Sequence, residues 1–480
     1  MRATRLAATL LALTALGPAT RAADDVATRF NRAIELYRSG KLDDARGAFE
    51  EAARAAPGDA LIQNWLGFLY LRQEKYTEAV EPLERAVKLR PNYAEAYTNL
   101  GNAYLNSRRV DDAIAAFKKV IALDARAANA HYNLGNVYSK TNRYAEAVTE
   151  FRKAAELKPD DAFIQNNLGY ALQVSGNSKA AATAYARAAQ LMPRNPVFWL
   201  NLGLAHADAR DTKQAVIALA RAVALDPESL GARVAYGEAL IAARQDEKAI
   251  PQFQKALELQ PTSFGANYNL GLLYGRAGDS ARAVAALRKA LEAAPDRPEG
   301  LSALGLALFR AGDAEEAARV FGRLTVVAPD DVAGWMNLGT LASRRGDADG
   351  AIAAWKTALK HAPERADIRR WLAGLFLARD DLESASREYT RSLRDAPNNA
   401  ECLNGLGLIA DRRGDVDAAI KLYLRAIKAN PRYEYAHNNL GVAYEKKGEV
   451  NLAIASYRRA LAIRPTYADA RQNLQRFKNR

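Results

Sequence analysis

Residues 128–161 read ANAHYNLGNVYSKTNRYAEAVTEFRKAAELKPDD, and variants of this block return every 34 residues. From residue 26 to residue 467 the chain divides into thirteen such blocks with no insertion or deletion. Numbering positions 1 to 34 within a block, position 8 is glycine from Gly67 to Gly441, except at Ala373; Ala33 holds it in the first block. Position 20 is always alanine. Position 24 is always large and apolar, as in Phe117, Phe151, Tyr185, Trp355 and Tyr423. Position 32 is proline everywhere but at Ala125.

The spacing of these positions has a direct physical meaning. Positions 4, 7, 8 and 11 fall on one face of a helix, and positions 20, 24, 27 and 28 fall on one face of a second. Small residues at 8 and 20 let the two helices approach closely. Glycine at position 15 (Gly278, Gly312, Gly346, Gly414, Gly448) suits a left-handed turn between them. The aspartate that often follows, as in Asp279, Asp313, Asp347 and Asp415, is placed to cap the second helix. Proline at position 32 then prevents that helix from continuing. The predicted unit is helix, turn, helix, turn, with an apolar face that one unit alone cannot bury, so units must stack.

This pattern resembles the tetratricopeptide repeat family, over nearly the whole chain beyond residue 25. The resemblance implies an all-α, right-handed superhelix (an α-solenoid), with the first helix of each repeat lining a concave groove. Residues 468–480 read as one further, capping helix. It would turn Ala470, Leu474 and Phe477 inward and Arg471, Gln475 and Lys478 to solvent.

The first 22 residues stand apart. Arg2 and Arg5 precede an apolar stretch from Leu6 to Leu16, and Thr20-Arg21-Ala22 offers a small-residue cleavage site. This reads as a secretory signal peptide, followed by a short lead of residues 23–25. The apolar stretch is shorter than the ~20 residues a membrane span needs, and no cysteine lies nearby to anchor a lipoprotein. Cys402 is the only cysteine, which rules out an intrachain disulfide. These features point to a bacterial periplasmic or secreted protein held together by packing alone. The net charge of +13 is uneven: residues 332–480 hold 26 basic and 17 acidic side chains, whereas residues 23–331 hold 39 and 38.

The residues speak against catalysis. His131, His206, His361 and His437 are far apart and share no metal-ligand spacing with Cys402 or a carboxylate. His206 stands where tyrosine is usual and reads as a core residue. No cofactor is expected, and no residues outside the repeats remain to build an active site.

Binding is the better-supported reading. Position 6 is often asparagine, with an unbroken run at Asn99, Asn133, Asn167 and Asn201, supplemented at position 9 by Asn102 and Asn136. On the tetratricopeptide repeat model these side chains enter the groove, where each offers a donor and an acceptor to an extended peptide backbone. The arrangement is similar to the asparagine ladder in the repeat domain of O-linked N-acetylglucosamine transferases. From Ala162 to Ala207 the chain carries no acidic residue. Tyr132, Phe163, Tyr170, Val197, Leu200, Leu204 and Val234 then predict an apolar floor beside the asparagines. A two-carboxylate clamp is not expected, because only Arg370 sits at a suitable position. A basic row at positions 13 and 14 (Arg276, Arg310, Arg344, Arg345, Arg379, Arg412, Arg413, Lys446, Lys447) either complements helix C-termini or attracts an anionic partner. Nucleic acid is not expected, since no aromatics interleave with that row. The resulting expectation is a protein- or peptide-binding adaptor. The alternative is a structural subunit of a cell-envelope assembly such as polysaccharide export.

Overall fold

The computed structural model describes residues 18–477. The expected leader therefore lies largely outside the described residues, as does Lys478. Among the described residues there are 27 helices and no strand. A first (A) helix begins every 34 residues from Ala60 to Ala468, and a second (B) helix every 34 residues from Leu42 to Val450. The opening A helix, Pro18–Arg38, starts earlier and runs through Thr20-Arg21-Ala22. The final one, Ala468–Gln475, is shorter than the span read from the sequence. In it Ala470 is fully buried and the Phe477 ring beyond it stands 6.3 Å from that of Tyr457.

Contacts divide the chain into two compact units, residues 1–252 and 253–480. In the first, Leu83, Phe117, Leu134, Phe151, Tyr185 and Leu202 belong to one continuous buried cluster. In the second, Leu287, Leu304, Phe321 and Leu341 form one cluster, and Trp355, Ile368 and Leu372 another. Within each unit the helix pairs stack in chain order. A helices also touch A helices of neighbouring pairs, as Ala162–Val174 does on both sides. Within each unit the A helices thus line one side of the stack.

The glycine at position 8 sets the distance within a pair. A Cβ built on Gly135 would lie 2.7 Å from the ring of Phe151, and one on Gly305 would lie 2.7 Å from Phe321. The position-24 side chain fills the space the missing Cβ leaves, so a methyl group there overpacks the contact by roughly 1–3 kcal/mol. The exception in the second unit is instructive. Where Ala373 takes position 8, Tyr389 leans instead over Gly405 of the next A helix, where an added Cβ would come within 2.4 Å of its ring.

The A-to-B turn is equally uniform. Position 15 has positive φ at every described turn, including six that lack glycine: Glu74, Arg108, Asn142, Arg210, Arg244 and Asp380. Packing of the two helices imposes the left-handed conformation even on residues that resist it. Asp279, Asp313, Asp347 and Asp415 each accept a backbone N–H three residues on, at 2.9–3.0 Å. Because the left-handed conformation strains a side chain that glycine lacks, Arg108→Gly and Arg210→Gly should each raise stability by about 0.5–1 kcal/mol. Chemical denaturation followed by circular dichroism measures this; a loss of stability would show that these turns are not strained.

Candidate functional site

The asparagines of the A wall mostly bind one another across the stack. Asn99 Nδ2 donates to Asn64 Oδ1 at 3.0 Å, and Asn201 Nδ2 donates to Asn166 Oδ1 at 2.9 Å. Asn167 Nδ2 donates to both Asn136 Oδ1 (3.0 Å) and the Tyr132 hydroxyl oxygen (3.1 Å). The same bond recurs in the second unit from Asn439 to Asn404 and from Asn473 to Asn438. At Asn99, Asn201, Asn439 and Asn473 a position-6 amide thus donates to the position-5 amide of the preceding A helix, tying the two together. Two of the accepting asparagines stand out in the sequence, in the pairs Asn166-Asn167 and Asn438-Asn439.

Asn133 is placed differently. It is half-buried and lines a cavity of about 300 Å³ together with Asn102, Asn136, Leu105 and Lys140. Three of the asparagines read from the sequence therefore meet in one polar hollow between the helices Ala94–Asn106 and Ala128–Lys140.

The apolar floor also separates into two groups. Tyr132 is half-buried, its ring 5.8 Å from Phe151, and Leu200 packs on Ala215, Leu219 and Ala239. Neither is a free surface. Phe163 (55% exposed), Val197 (52%), Tyr170 (47%) and Leu204 (37%) do face solvent on the adjacent helices Ala162–Val174 and Pro196–Asp208. They occupy positions 2 and 9, two turns apart on one face. Phe163 is held edge-on against Phe198 at 5.8 Å, and Tyr170 against Tyr144 at 6.2 Å. The rings are thus presented by packed neighbours, and large exposed apolar groups of this kind mark interaction surfaces.

The basic row is largely engaged within the molecule. Arg379 pairs with Asp349, Arg412 with Asp380 (2.8 Å), Lys446 with Asp411 (2.7 Å) and Lys447 with Asp417 (2.6 Å). Arg344 lies over the Phe309 ring at 4.6 Å. With so many of its charges matched by carboxylates, the row gives no support to an anionic partner.

The histidines and Cys402 have structural surroundings. At position 4, side chains of different chemistry reach back to the carbonyl six residues earlier: Gln63 to Pro57, Trp199 to Pro193, Arg233 to Pro227, Trp335 to Pro329, Arg369 to Pro363. His437 Nε2 does this to Pro431 at 3.1 Å, and His131 Nε2 lies 3.4 Å from the Ala125 carbonyl with Nδ1 2.6 Å from Glu150. The rule escapes a sequence reading because only an N–H is common to these residues. His206 is not a core residue: it is half-buried beside Asp211, lining a cavity with Lys179 and Arg187. Cys402 is fully buried against the Ser392 hydroxyl, and burial raises its thiol pKa.

The tetratricopeptide repeat model matches residues 30–94, 98–162, 166–229, 268–332 and 404–468. Residues 326–435 match the TPR domain of cytochrome c-type biogenesis protein H, and residues 237–278 a TPR repeat model. No curated protein matches the chain. Among solved structures, the APC/C Cut9–Hcn1 hetero-tetramer aligns at 14% identity over 92% of this chain and 94% of that one, with a TM-score of 0.39. Naa15/Naa10 bound to HypK-THB aligns at 14% over 94% and 79% (TM-score 0.36), and MamA at 25% over 35% and 92% (TM-score 0.34). No helix among the described residues is long and apolar enough to cross a membrane.

Two outcomes follow from the hydrogen bonds. Asn167→Ala should cost about 1 kcal/mol, having broken a bond between helices, whereas Asn133→Ala should change stability by less than about 0.5 kcal/mol; equal losses in denaturation would contradict the bracing role. Burial lowers the pKa of His437 below its ordinary 6.5. The unfolded chain then binds a proton the folded chain refuses, so this contribution is complete above pH 6.5 and is lost as pH falls through the folded pKa. Gln63 and Gln165 make the same bond without titrating. His437→Gln should therefore flatten the acid limb of a melting-temperature profile; an unchanged slope would remove His437 from the account.

Proposed function

Because the chain belongs to the tetratricopeptide repeat family, we propose that it is a non-catalytic adaptor holding an extended, partly apolar protein segment against its A-helix wall. Solenoids of this family are typically protein-interaction scaffolds. The observation that carries the assignment to a region is the exposed set Phe163, Tyr170, Val197 and Leu204, within a stretch that holds no acidic residue. The segment lies across these rings, and the hollow of Asn102, Asn133 and Asn136 offers amide groups to its backbone. Asn99, Asn167 and Asn201 act on it indirectly, by fixing the spacing of the helices. The basic n-region and apolar stretch of residues 1–22 support export, with the periplasm as the compartment.

A second reading is favoured by the match of residues 326–435 to the TPR domain of a cytochrome c-type biogenesis protein. In it the chain is a subunit of an envelope assembly, and the exposed rings bury against another copy.

Selection of displayed random dodecapeptides on the full chain separates the two. Enrichment of peptides with aromatic or aliphatic residues is expected, together with about tenfold weaker retention by a Tyr170→Asp, Leu204→Asp variant of unchanged helicity. Undiminished retention by that variant would overturn the adaptor site. Sedimentation as a stable oligomer that the same substitutions disperse would favour the subunit.

A further inference from the structure

The run of position-6 asparagines breaks in the second unit. Asn337 is followed by Trp371 and then Gly405, before Asn439 restores it. Position 9 is at the same place reduced to Gly374, where other blocks carry residues such as Tyr170, Leu204 or Leu408. A cavity of about 520 Å³ opens here along the helices Val332–Arg344, Ala366–Ala378 and Ala400–Arg412. That volume falls in the range of ligand pockets. Trp371, Leu375, Leu408 and Tyr433 give it an apolar lining, and the Trp355 ring supports Trp371 at 5.9 Å between centroids.

The polar groups of the lining are unbalanced. Its charges and most of its acceptors are engaged. Glu401 pairs with Arg370, and Arg344 turns to the Phe309 ring on the preceding A helix. Asn404 Oδ1 accepts from Asn439 Nδ2 at 3.0 Å, and the Thr340 hydroxyl donates to the Met336 carbonyl at 2.9 Å. Its donors are not engaged. Tyr389 and Asn404 are each only 6% exposed, yet the Tyr389 hydroxyl and Asn404 Nδ2 have no hydrogen-bond partner among the described residues. The same holds for Trp371 Nε1. In the first unit Asn64 Nδ2 donates to the Tyr93 hydroxyl at 3.1 Å. Asn404 and Tyr433 hold the same two positions, 5 and 34, and make no such bond.

The placement of these donors follows from the glycines. The lean of Tyr389 past Ala373 puts its hydroxyl 2.9 Å from where a Gly405 Cβ would stand and 3.6 Å from a Gly374 Cβ. Asn404 adjoins Gly405 in the chain, and Trp371 lies one turn before Gly374 on the same helix face. The donors are therefore spread along the hollow rather than gathered at one point. An uncharged, aromatic hollow with spread donors and few free acceptors disfavours an ordinary peptide. Each backbone N–H that entered without an acceptor would cost about 1–3 kcal/mol. Proline brings a carbonyl and an apolar ring but no N–H. The polyproline II conformation leaves those carbonyls free of internal hydrogen bonds, which is why aromatic-lined grooves select it.

We propose that this cavity binds a proline-rich segment in the polyproline II conformation. A proline ring enters between Trp371 and Tyr433, in the space left at Gly374 and Gly405. Successive carbonyls of the segment accept from the Tyr389 hydroxyl, Asn404 Nδ2 and Trp371 Nε1. The site lies wholly in the second unit and does not depend on the surface formed by Phe163, Tyr170, Val197 and Leu204.

The test is titration of the full chain with hexaproline capped by acetyl and amide groups, read by calorimetry and by the fluorescence of the protein's tryptophans. Hexaproline should bind. The equally capped peptide Ala-Ser-Ala-Ser-Ala-Ser, which carries an N–H at every residue, should bind at least about tenfold more weakly. Trp371→Asn, which restores the residue found at Asn337 and Asn439, should weaken hexaproline binding about tenfold or more. Tyr389→Phe, which removes only the hydroxyl, should weaken it by a smaller factor of about five. Gly374→Leu should abolish binding while leaving circular dichroism unchanged, because leucine already fills this position at Leu204 and Leu408. Equal affinity for the two peptides, undiminished binding by Trp371→Asn, Tyr389→Phe or Gly374→Leu, or no binding at millimolar hexaproline would overturn the proposal. The Tyr170→Asp, Leu204→Asp variant should bind hexaproline like the unaltered chain; a loss there would move the peptide to the first unit and overturn the proposal instead.

Discussion

The structure depends on how closely two helices can approach where glycine at position 8 faces a large side chain at position 24. Everything else in the block serves that contact. The ring or branched chain of Leu83, Phe117, Phe151 or Tyr185 sits where a Cβ would otherwise stand. The fixed separation in turn dictates the left-handed residue at position 15, whatever side chain it carries. Because each pair repeats the same geometry, A helices within each unit meet their neighbours and present positions 2, 5, 6 and 9 on one side. Function is written in the residues that this packing leaves over.

The helix pairs and their order are legible in the sequence, because the 34-residue period is carried by packing, and packing tolerates few substitutes. Proline and glycine mark the turns through their own backbones, and the capping aspartates through carboxylates that reach only three residues along the chain. The wall was less legible. Asn99, Asn167 and Asn201 were read as facing a ligand, yet their amides reach the preceding helix. An asparagine side chain is short and has two functions, and its partner is one block away, so spacing within a helix says nothing of it. Tyr132 and Leu200 were read as floor for a similar reason: position alone does not tell whether a neighbour covers a side chain. The position-4 donors were hidden altogether, since glutamine, histidine, tryptophan and arginine share no property that composition or hydropathy registers.

Two departures from the repeat carry most of the functional interest. One is additive: exposed rings at positions 2 and 9 of neighbouring helices in the first unit. The other is subtractive: glycine at 374 and 405, with alanine at 373 turning Tyr389 from its usual place. A regular array makes such departures informative, because the same position in a dozen other blocks shows what ordinary packing requires there.

The reach of the position-4 side chain back to position 32 has a consequence for where one repeat ends. The carbonyl of Pro193 is satisfied by Trp199, and that of Pro329 by Trp335, residues that belong to the next block. Covalent periodicity and chemical closure are thus out of step by about four residues. A segment excised at the arithmetic boundary would expose a turn whose acceptor has lost its donor, while one extended through the following A helix would carry its own seal. The helix Ala468–Gln475 fits this logic: Arg471 donates to Pro465 and so closes the turn of the block before it.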